Sequence, residues 1–352
     1  METKCFKYAG IWFDAAGSTF MKILFFSAKP YERPFFDKYN EPYGFELVYF
    51  ETHLGPHIVN AVEDAIAVCV FVNDKVNAAV ISVLAEKGVK IIALRCAGYN
   101  NVDLDAAKAQ GIHVCRVPEY SPEAVAEHTT AMLLTLIRKT HKAYNRVREQ
   151  NFALNGMLGF NLYGKTVGII GTGKIGKAFC RIMLGFGCNV IAYDLLPDLQ
   201  MQALGIQYMS FEEVLKKADI VSLHCPLTQE NHYMINKAAL AMMKKGVAVI
   251  NTSRGGLINT VDVIQALKSK QVAYLGIDVY EQEEQLFFKD LSGSIIEDDT
   301  IQRLMSFPNV LVTAHQAYFT EEALSQIAQV TLGSIGQLAN ENQCADASVM
   351  LV

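Results

Sequence analysis

Several features that mark special classes of protein are missing from this sequence. Its 352 residues contain no apolar run long enough to span a membrane. The eight cysteines are scattered and include no CxxC pair, which argues against both a disulfide framework and a zinc site. Unpaired thiols in a chain of this length are typical of a reducing compartment. We therefore expect a cytoplasmic protein without a metal site and without a membrane partner.

The sequence also lacks an excess of basic residues, short internal repeats and low-complexity linkers. The formal net charge of −5 argues against non-specific binding of nucleic acid. A hydrophobic fraction of 51% over 352 residues predicts two globular domains with large cores. Residues 1–20 hold the only tryptophan but no clean apolar core of a signal peptide. We expect these residues to form an N-terminal extension, either loosely ordered or added by an upstream start codon.

Apolar runs alternate with helix-like stretches from residue 21 onward, in two series. This alternation is typical of parallel sheets that are covered by helices. Strands of the first series are predicted at 22–27, 45–50, 67–72, 91–94 and 113–117. Strands of the second series are predicted at 166–170, 189–193, 219–223, 247–251, 273–277 and 309–313.

Two helices are expected to connect the two series. Ser121 and Pro122 predict the start of a long helix that runs to about Glu149 and either crosses the middle of the molecule or packs on a partner subunit. A final helix at 321–340 is expected to return to the first domain. The predicted fold is α/β with two parallel-sheet domains, in which a doubly wound domain is inserted into another. The predicted boundaries are 1–20 for the extension, 21–119 with 318–352 for the first domain, and 120–317 for the inserted one.

The most informative stretch is a buried strand that turns into a helix through three glycines, Gly171, Gly173 and Gly176. Such glycines allow a tight turn and let backbone N–H groups approach a pyrophosphate at the start of the helix. Asp194 ends the next predicted strand, at a position where an acid can bind a ribose hydroxyl. The combination predicts a dinucleotide site. A glycine-rich turn without a ligand is the structural alternative.

Three polar residues, Arg254, Glu283 and His315, follow later predicted strands of the same series. Ligands of open α/β sheets bind outside the carboxyl ends of strands, so all three should face one crevice. Arginine binds a carboxylate through two parallel hydrogen bonds, and histidine exchanges the proton of a carbonyl/alcohol pair. A neighbouring glutamate favours the imidazolium form. The set suggests reversible reduction of a 2-keto acid by a nicotinamide.

Each member of this set also has an ordinary structural explanation. An arginine at the end of a strand is commonly a surface ion-pair residue. Glu283 lies in an acidic stretch that a solvated surface would explain equally well. The remaining histidines, among them His128 and His224, are interpreted as surface or core residues. The pattern alone leaves both interpretations of the set open.

The sequence resembles the D-isomer-specific 2-hydroxyacid dehydrogenases, and within them the bacterial fermentative D-lactate dehydrogenases. The resemblance covers about residues 21 to 343. It rests on eight segments: 71–74 (FVND), 93–104 (ALRCAGYNNVDL), 117–128 (VPEYSPEAVAEH), 171–176 (GTGKIG), 222–228 (SLHCPLT), 251–255 (NTSRG), 278–281 (DVYE) and 313–317 (TAHQA). It implies a Rossmann NAD-binding domain inserted into a flavodoxin-like substrate domain. The N-terminal extension and a long, apolar C-terminal tail depart from the family pattern.

The resemblance also implies roles for individual residues. Arg254 would bind and polarise the substrate, His315 would be the acid/base, and Glu283 would be its partner. The substrate would further contact backbone amides at Ala97 and Gly98, and Tyr120. Implied NAD contacts, beyond the three glycines and Asp194, are Lys174, Ile175, Cys225, Pro226, Asn231, Thr252, Ser253, Arg254 and, near the nicotinamide amide, Asp278. Asp194 would repel a 2′-phosphate, which favours NAD over NADP.

We therefore expect an NAD-dependent enzyme that reduces pyruvate to D-lactate and forms a homodimer or homotetramer. One alternative keeps the chemistry and changes the substrate to a larger 2-keto acid, hydroxypyruvate or phosphoglycerate, although no basic cluster suggests recognition of a phosphate. A second alternative is a nucleotide-sensing, corepressor-like binding protein on the same fold. It predicts negligible turnover and an exposed apolar groove for a peptide.

Overall fold

The structure is a computed structural model that describes residues 6–8, 11–13 and 19–352. It divides into two compact units. Unit 1 comprises Met1–Ser121 and Thr320–Val352, and unit 2 comprises Pro122–Phe319. Most of the predicted N-terminal extension lies outside the described residues. The part that is described forms a small three-stranded antiparallel sheet.

The described residues form fifteen strands and twelve α-helices. The strands are β1 (Phe6–Tyr8), β2 (Ile11–Phe13), β3 (Thr19–Phe20), β4 (Lys22–Phe25), β5 (Glu46–Tyr49), β6 (Ala67–Val70), β7 (Ile91–Leu94), β8 (His113–Arg116), β9 (Thr166–Ile170), β10 (Asn189–Tyr193), β11 (Gln207–Tyr208), β12 (Ile220–Leu223), β13 (Val247–Asn251), β14 (Val272–Ile277) and β15 (Val310–Val312). The helices are α1 (Arg33–Tyr39), α2 (Ala78–Glu86), α3 (Leu104–Ala109), α4 (Pro122–Arg138), α5 (Thr140–Arg148), α6 (Lys174–Gly185), α7 (Leu199–Ala203), α8 (Phe211–Lys217), α9 (Lys237–Met242), α10 (Thr260–Lys268), α11 (Asp299–Met305) and α12 (Glu321–Glu341). Among these helices, none is both long and apolar enough to cross a membrane.

Unit 1 is built on a five-stranded parallel sheet with the order β5-β4-β6-β7-β8. This is the flavodoxin-like strand order. The central strands β6 and β7 are buried along their whole length. Their unbroken apolar sequences are typical of parallel strands that are covered on both faces. Helix α12 packs against α1 and beside β7 and β8, within the same unit.

The C-terminal tail continues the sheet of unit 1 at its β8 edge. The N–H of Leu351 donates to the carbonyl of Val114 at 2.8 Å, and the N–H of Arg116 donates to the carbonyl of Val349 at 2.9 Å. Met350 forms an antiparallel bridge with Cys115. The apolar tail, to which sequence reasoning assigned no role, therefore covers the edge of β8 with paired backbone.

Unit 2 is built on a seven-stranded parallel sheet with the order β11-β10-β9-β12-β13-β14-β15. Strand order reverses beside β9, as in doubly wound dinucleotide-binding domains. All six predicted strands of this series are present, and the short strand β11 is an addition at one edge. The predicted fold class, two parallel-sheet α/β domains of which one is a Rossmann domain, is confirmed.

The prediction of one continuous helix from 122 to about 149 was wrong. The chain forms α4 and then α5, because Lys139 between them adopts a left-handed backbone with φ of +55°. The ammonium of Lys139 donates to the carbonyl of Gly156 at 2.7 Å. Helix α4 packs on α6 and β14 inside unit 2, which accounts for its apolar content. Helix α5, by contrast, buries no residue.

Candidate active site

The candidate residues of unit 2 all follow the carboxyl ends of parallel strands, which lie at one edge of the sheet. The glycine loop follows β9, and Asp194 follows β10 directly. Later strands are followed by the remaining candidates: Cys225 and Pro226 after β12, Thr252 to Arg254 after β13, Asp278 and Glu283 after β14, and His315 after β15. This is the edge where open α/β sheets bind their ligands.

The glycine loop has the geometry of a phosphate cradle. Gly171 has a φ of +92°, and a Cβ there would lie 2.7 Å from the backbone nitrogen of Cys225. A Cβ on Gly176 would lie 2.0 Å from the carbonyl oxygen of Gly171. Gly173, by contrast, faces open space and caps helix α6, whose first residues are Lys174 and Ile175. Two glycines are therefore required by packing, and the third leaves room for a ligand at the helix N-terminus.

Asp194 is tied to the glycine loop. Its Oδ2 accepts hydrogen bonds from the backbone N–H of Thr172 at 2.6 Å and from the Thr172 hydroxyl at 2.9 Å. The hydroxyl of Tyr208 in turn donates to that of Thr172 at 2.9 Å. A carboxylate offers about four acceptor positions, so these bonds leave capacity for a ribose hydroxyl. The glycine loop and Asp194 are thus held together by hydrogen bonds.

The segments after β12 and β13 are joined by side-chain hydrogen bonds. The hydroxyl of Ser253 donates to the carbonyl of Cys225 at 2.5 Å. The amide of Asn231 donates to the carbonyl of Pro226 at 2.7 Å and accepts from the N–H of Thr228 at 2.7 Å. Burial raises the pKa of the Cys225 thiol to about 11, so it is a neutral, unreactive group. These residues shape the edge through their backbone.

Thr252 and Arg254 point in different directions. The Thr252 hydroxyl is buried 2.8 Å from that of Thr129 on α4. Arg254 is exposed, and its Nη1 donates to the carbonyl of Ser253 at 2.7 Å. A Cβ on the next residue, Gly255, would lie 2.1 Å from the carbonyl carbon of Tyr280. The close packing of Gly255 fixes the backbone that presents the guanidinium to solvent.

His315 and Glu283 form a hydrogen-bonded pair. Nδ1 of His315 lies 2.7 Å from Oε1 of Glu283, and the side chains are 20% and 24% exposed. The second carboxylate oxygen of Glu283 accepts from the backbone N–H of Tyr280 at 2.9 Å, which fixes the carboxylate. Nε2 of His315 has no hydrogen-bond partner among the described residues. A histidine held through Nδ1 in this way can exchange a proton through Nε2.

Asp278 lies beneath the His315 segment and is fully buried. Its carboxylate accepts from the backbone N–H groups of Gln316 and Ala317, each at 2.9 Å, and from the Thr313 hydroxyl at 2.5 Å. Burial alone would raise the pKa of the Asp278 carboxyl, but hydrogen bonds, those of His128 and Thr313 foremost, hold it below its usual range. The family resemblance implies that Asp278 lies near a nicotinamide amide. Its observed contacts are with the segment that carries His315.

His128 is a member of this network that sequence reasoning assigned to the surface or the core. Its Nε2 lies 3.2 Å from the Thr313 hydroxyl and 3.5 Å from Oδ1 of Asp278. The contact joins α4 to a segment 185 positions later in the chain. The only available signal was that His128 ends one of the segments on which the family resemblance rests.

The candidate substrate residues of unit 1 lie after β7 and β8. Ala97 and Gly98 are half-buried, and among the described residues their N–H groups donate no hydrogen bond. Half-buried N–H groups without partners are suited to donate to an anionic oxygen. Tyr120, four residues after the end of β8, is half-buried.

Known proteins resemble this chain along most of its length. Residues 130–317 match the family model described as D-isomer specific 2-hydroxyacid dehydrogenase, NAD binding domain. The chain is 53% identical to 2-hydroxyacid dehydrogenase homolog 1 of Schizosaccharomyces pombe, over 94% of this chain and 99% of that protein. It is 47% identical to the D-lactate dehydrogenase of Escherichia coli, over 94% and 100% of the two chains. A solved structure described as identifying the pyruvate reductase of Chlamydomonas reinhardtii superposes with a TM-score of 0.88 at 41% identity, and covers 93% of this chain and 98% of its own.

Proposed function

This NAD-binding oxidoreductase belongs to the D-isomer specific 2-hydroxyacid dehydrogenase family, and we propose that it reduces pyruvate to D-lactate with NADH. The observation that carries the proposal is the pairing of His315 Nδ1 with Glu283 Oε1 at 2.7 Å, on the carboxyl edge of the dinucleotide-binding sheet. A related protein from Escherichia coli carries the name D-lactate dehydrogenase, which supports pyruvate as the substrate.

The residues of the carboxyl edge fit the cofactor. Gly171, Gly173 and Gly176 with the start of α6 would hold the pyrophosphate, and Asp194 would accept hydrogen bonds from a ribose. The segments at Cys225–Pro226, Asn231 and Thr252–Ser253 would line the rest of the site. Asp278 would act through its hold on the His315 segment. When bound, NADH supplies the hydride that reduces C2 of the substrate.

His315 would supply the proton of the reaction. Nε2 of the imidazolium would donate to the substrate oxygen as that oxygen gains charge, and the neutral ring would take the proton back in lactate oxidation. Glu283 would stabilise the cationic ring and hold it in one orientation through Nδ1. This division of roles matches the geometry, since Nδ1 is occupied and Nε2 is not.

Arg254 would bind the carboxylate and polarise the carbonyl of the substrate, because an exposed guanidinium presents a rigid pair of donors. The N–H groups of Ala97 and Gly98 would donate to the carboxylate as well, and Tyr120 would contact the substrate. The groups that bind the carboxylate favour a 2-keto acid over a neutral ketone.

A panel of 2-keto acids tests the proposal. Reduction of pyruvate, 2-oxobutyrate, 2-oxoisocaproate, phenylpyruvate and hydroxypyruvate would be followed by loss of NADH absorbance. We expect the highest kcat/KM for pyruvate. A higher value for a larger acid would assign the enzyme a different 2-keto acid, and several relatives are named only 2-hydroxyacid dehydrogenase homologues. Absence of turnover with every acid would favour a nucleotide-sensing binding protein instead.

We also propose that two copies of the chain associate through α5 and the segment that follows it. Tyr144, Phe152, Leu154 and Leu158 on this surface are 61%, 72%, 83% and 87% exposed. Phe152, Leu154 and Leu158 line a groove beside α5. Protruding apolar side chains beside a groove can be self-complementary about a two-fold axis. A second copy is therefore the occupant we assign, in a homodimer or as half of a homotetramer.

We propose that the protein resides in a reducing compartment such as the cytoplasm, and the state of its cysteines supports this. None of the seven described cysteines forms a disulfide, and five of them are buried. Burial raises the pKa of Cys69 and Cys180 to about 12 in each case, which suppresses their reactivity.

A further inference from the structure

Arg116 ends β8 and contacts the loop that follows the neighbouring strand β7. Its Nη1 donates to the carbonyl oxygen of Ala97 at 2.8 Å. Its guanidinium carbon lies 5.1 Å from the centroid of the Tyr99 ring, in cation–π contact. The two contacts fall on either side of Gly98. A planar guanidinium can stack its face on the ring while an N–H at its edge donates to the carbonyl, a geometry that the non-planar ammonium of lysine does not reproduce.

The carbonyl contacts of this loop determine where its amides point. In a planar trans peptide the C=O of one residue and the N–H of the next point in opposite directions. The carbonyl of Cys96 accepts from the N–H of Val117, and the carbonyl of Ala97 accepts from Arg116. The Cys96 carbonyl therefore points toward the backbone of Val117, and the Ala97 carbonyl toward the Arg116 guanidinium. The N–H of Ala97 is directed away from Val117, and the N–H of Gly98 is directed away from the guanidinium.

Arg116 itself is held firmly at its backbone. It pairs with Leu94 in the parallel ladder between β7 and β8, and its N–H donates to Val349 of the C-terminal tail at 2.9 Å. A charged donor on the Ala97 carbonyl also polarises that peptide, which makes the Gly98 N–H a stronger donor. The Arg116 side chain therefore affects both the direction in which the Gly98 N–H points and its strength as a hydrogen-bond donor.

We propose that Arg116 is a positioning residue that orients the Ala97 and Gly98 amides toward the substrate carboxylate. The inference rests on the proposed function, in which these amides bind that carboxylate. It assigns Arg116 to substrate affinity, not to proton transfer or to NADH binding.

Steady-state kinetics of Arg116→Ala test the inference. The carboxylate is bound equally in the ground state and the transition state, so loss of its amides raises KM and leaves kcat unchanged. We expect KM for pyruvate, and the inhibition constant of the carboxylate analogue oxamate, to rise about tenfold. We expect kcat to stay within about threefold and the Kd of NADH, measured by fluorescence, within about twofold.

Two further variants separate positioning from folding. Arg116→Lys keeps a cation near Ala97 but lacks the planar group that stacks on Tyr99, so its KM should lie between those of wild type and Arg116→Ala. Arg33→Ala removes a comparable arginine of unit 1, which lies 5.3 Å from the centroid of the Tyr49 ring, and should leave KM unchanged. Each KM is measured with the acid that wild type reduces best, so a different substrate preference leaves the test valid.

The two failures are distinguishable. Wild-type turnover combined with an unchanged KM in Arg116→Ala overturns the role of Arg116 alone, even if the variant is less stable to heat. A fall in kcat with KM unchanged would overturn it too. If wild type reduces no 2-keto acid, the proposed function and this inference are both rejected.

Discussion

At His315, backbone strain and a carboxylate contact act on the same residue. Its φ of +53° lies in the left-handed region, which costs a residue with a Cβ on the order of 1 kcal/mol or more. The strained turn is held by the His315 N–H, which donates to the carbonyl of Asp278 at 2.7 Å, and by the Asp278 carboxylate below it. The strain is retained because these bonds fix the ring against Glu283. The residue is thus oriented before any ligand binds.

Replacement of His315 tests its role in proton transfer. We expect His315→Gln to lower kcat by about 10²- to 10⁴-fold, the range that general acid catalysis contributes. The Kd of NADH should change little, because the proposed cofactor contacts lie elsewhere on the sheet edge. His53→Gln is a matched control, since His53 is also partly exposed and lies 4.0 Å from a buried carboxylate, that of Asp74. Near-normal turnover in His315→Gln, or an equal loss in His53→Gln, would contradict the assignment.

Residue identities at the strand ends could be read from the sequence, but their contacts could not. Arg254, Glu283 and His315 follow predicted strands, and that was enough to nominate them. The place of His128 depends on how α4 packs against the segment around Thr313, far away in the chain. Arg116 reads as the polar end of a strand, and its contact with Ala97 depends on the register of β7 and β8. Such contacts come from tertiary packing, which local patterns do not encode.

At the scale of elements, the sequence predicted most strands of the two parallel sheets but not the break between α4 and α5. Strands were predicted well, because buried parallel strands are short apolar runs bounded by turn residues. The break between α4 and α5 was missed, since a left-handed lysine carries no sequence signature. Here the Lys139 ammonium reaches the carbonyl of Gly156 and the α5 direction changes. The break leaves α5 and its following segment exposed.

The glycine loop offers a matched pair of substitutions on one helix. Gly173 and Gly185 cap and end α6, and an added Cβ meets no heavy atom within 4 Å at either position. Neither Gly173→Ala nor Gly185→Ala should destabilise the fold. Gly173→Ala should raise the Kd of NADH roughly tenfold or more, since a methyl group would overpack against a bound pyrophosphate.

Calorimetry and fluorescence titration would measure the two effects separately. Gly185→Ala should bind NADH like wild type and should melt at the same or a slightly higher temperature. Unchanged NADH affinity in Gly173→Ala would show that the open space above this glycine is not used by the cofactor.

At the scale of the whole molecule, two features matter: the C-terminal tail along β8, and the exposed surface of α5 with the segment that follows it. The C-terminal tail pairs with β8 and so fixes the strand that carries Arg116. The tail is apolar enough to suggest burial, but its partner strand could not be read from the sequence. The surface of α5 and the segment to Leu158 exposes several large apolar side chains, a pattern that marks interaction sites when the side chains are contiguous.

A charge on that surface tests self-association. We expect Leu158→Glu to shift the protein from a dimer or tetramer toward monomer at micromolar concentration, because it introduces like charges across a two-fold axis. Sedimentation velocity would measure the change. Ile295→Glu is the matched control, since Ile295 is 92% exposed and lies outside this surface. A monomeric wild type, or an unchanged oligomer in Leu158→Glu, would contradict the assignment of a second copy.

The central claim concerns the reaction and its stereochemistry. Wild-type protein would be incubated with NADH and pyruvate, and the lactate formed would be resolved by chiral chromatography and compared with the NADH consumed. We predict one D-lactate for each NADH oxidised. Formation of L-lactate, or no consumption of NADH, would contradict the account.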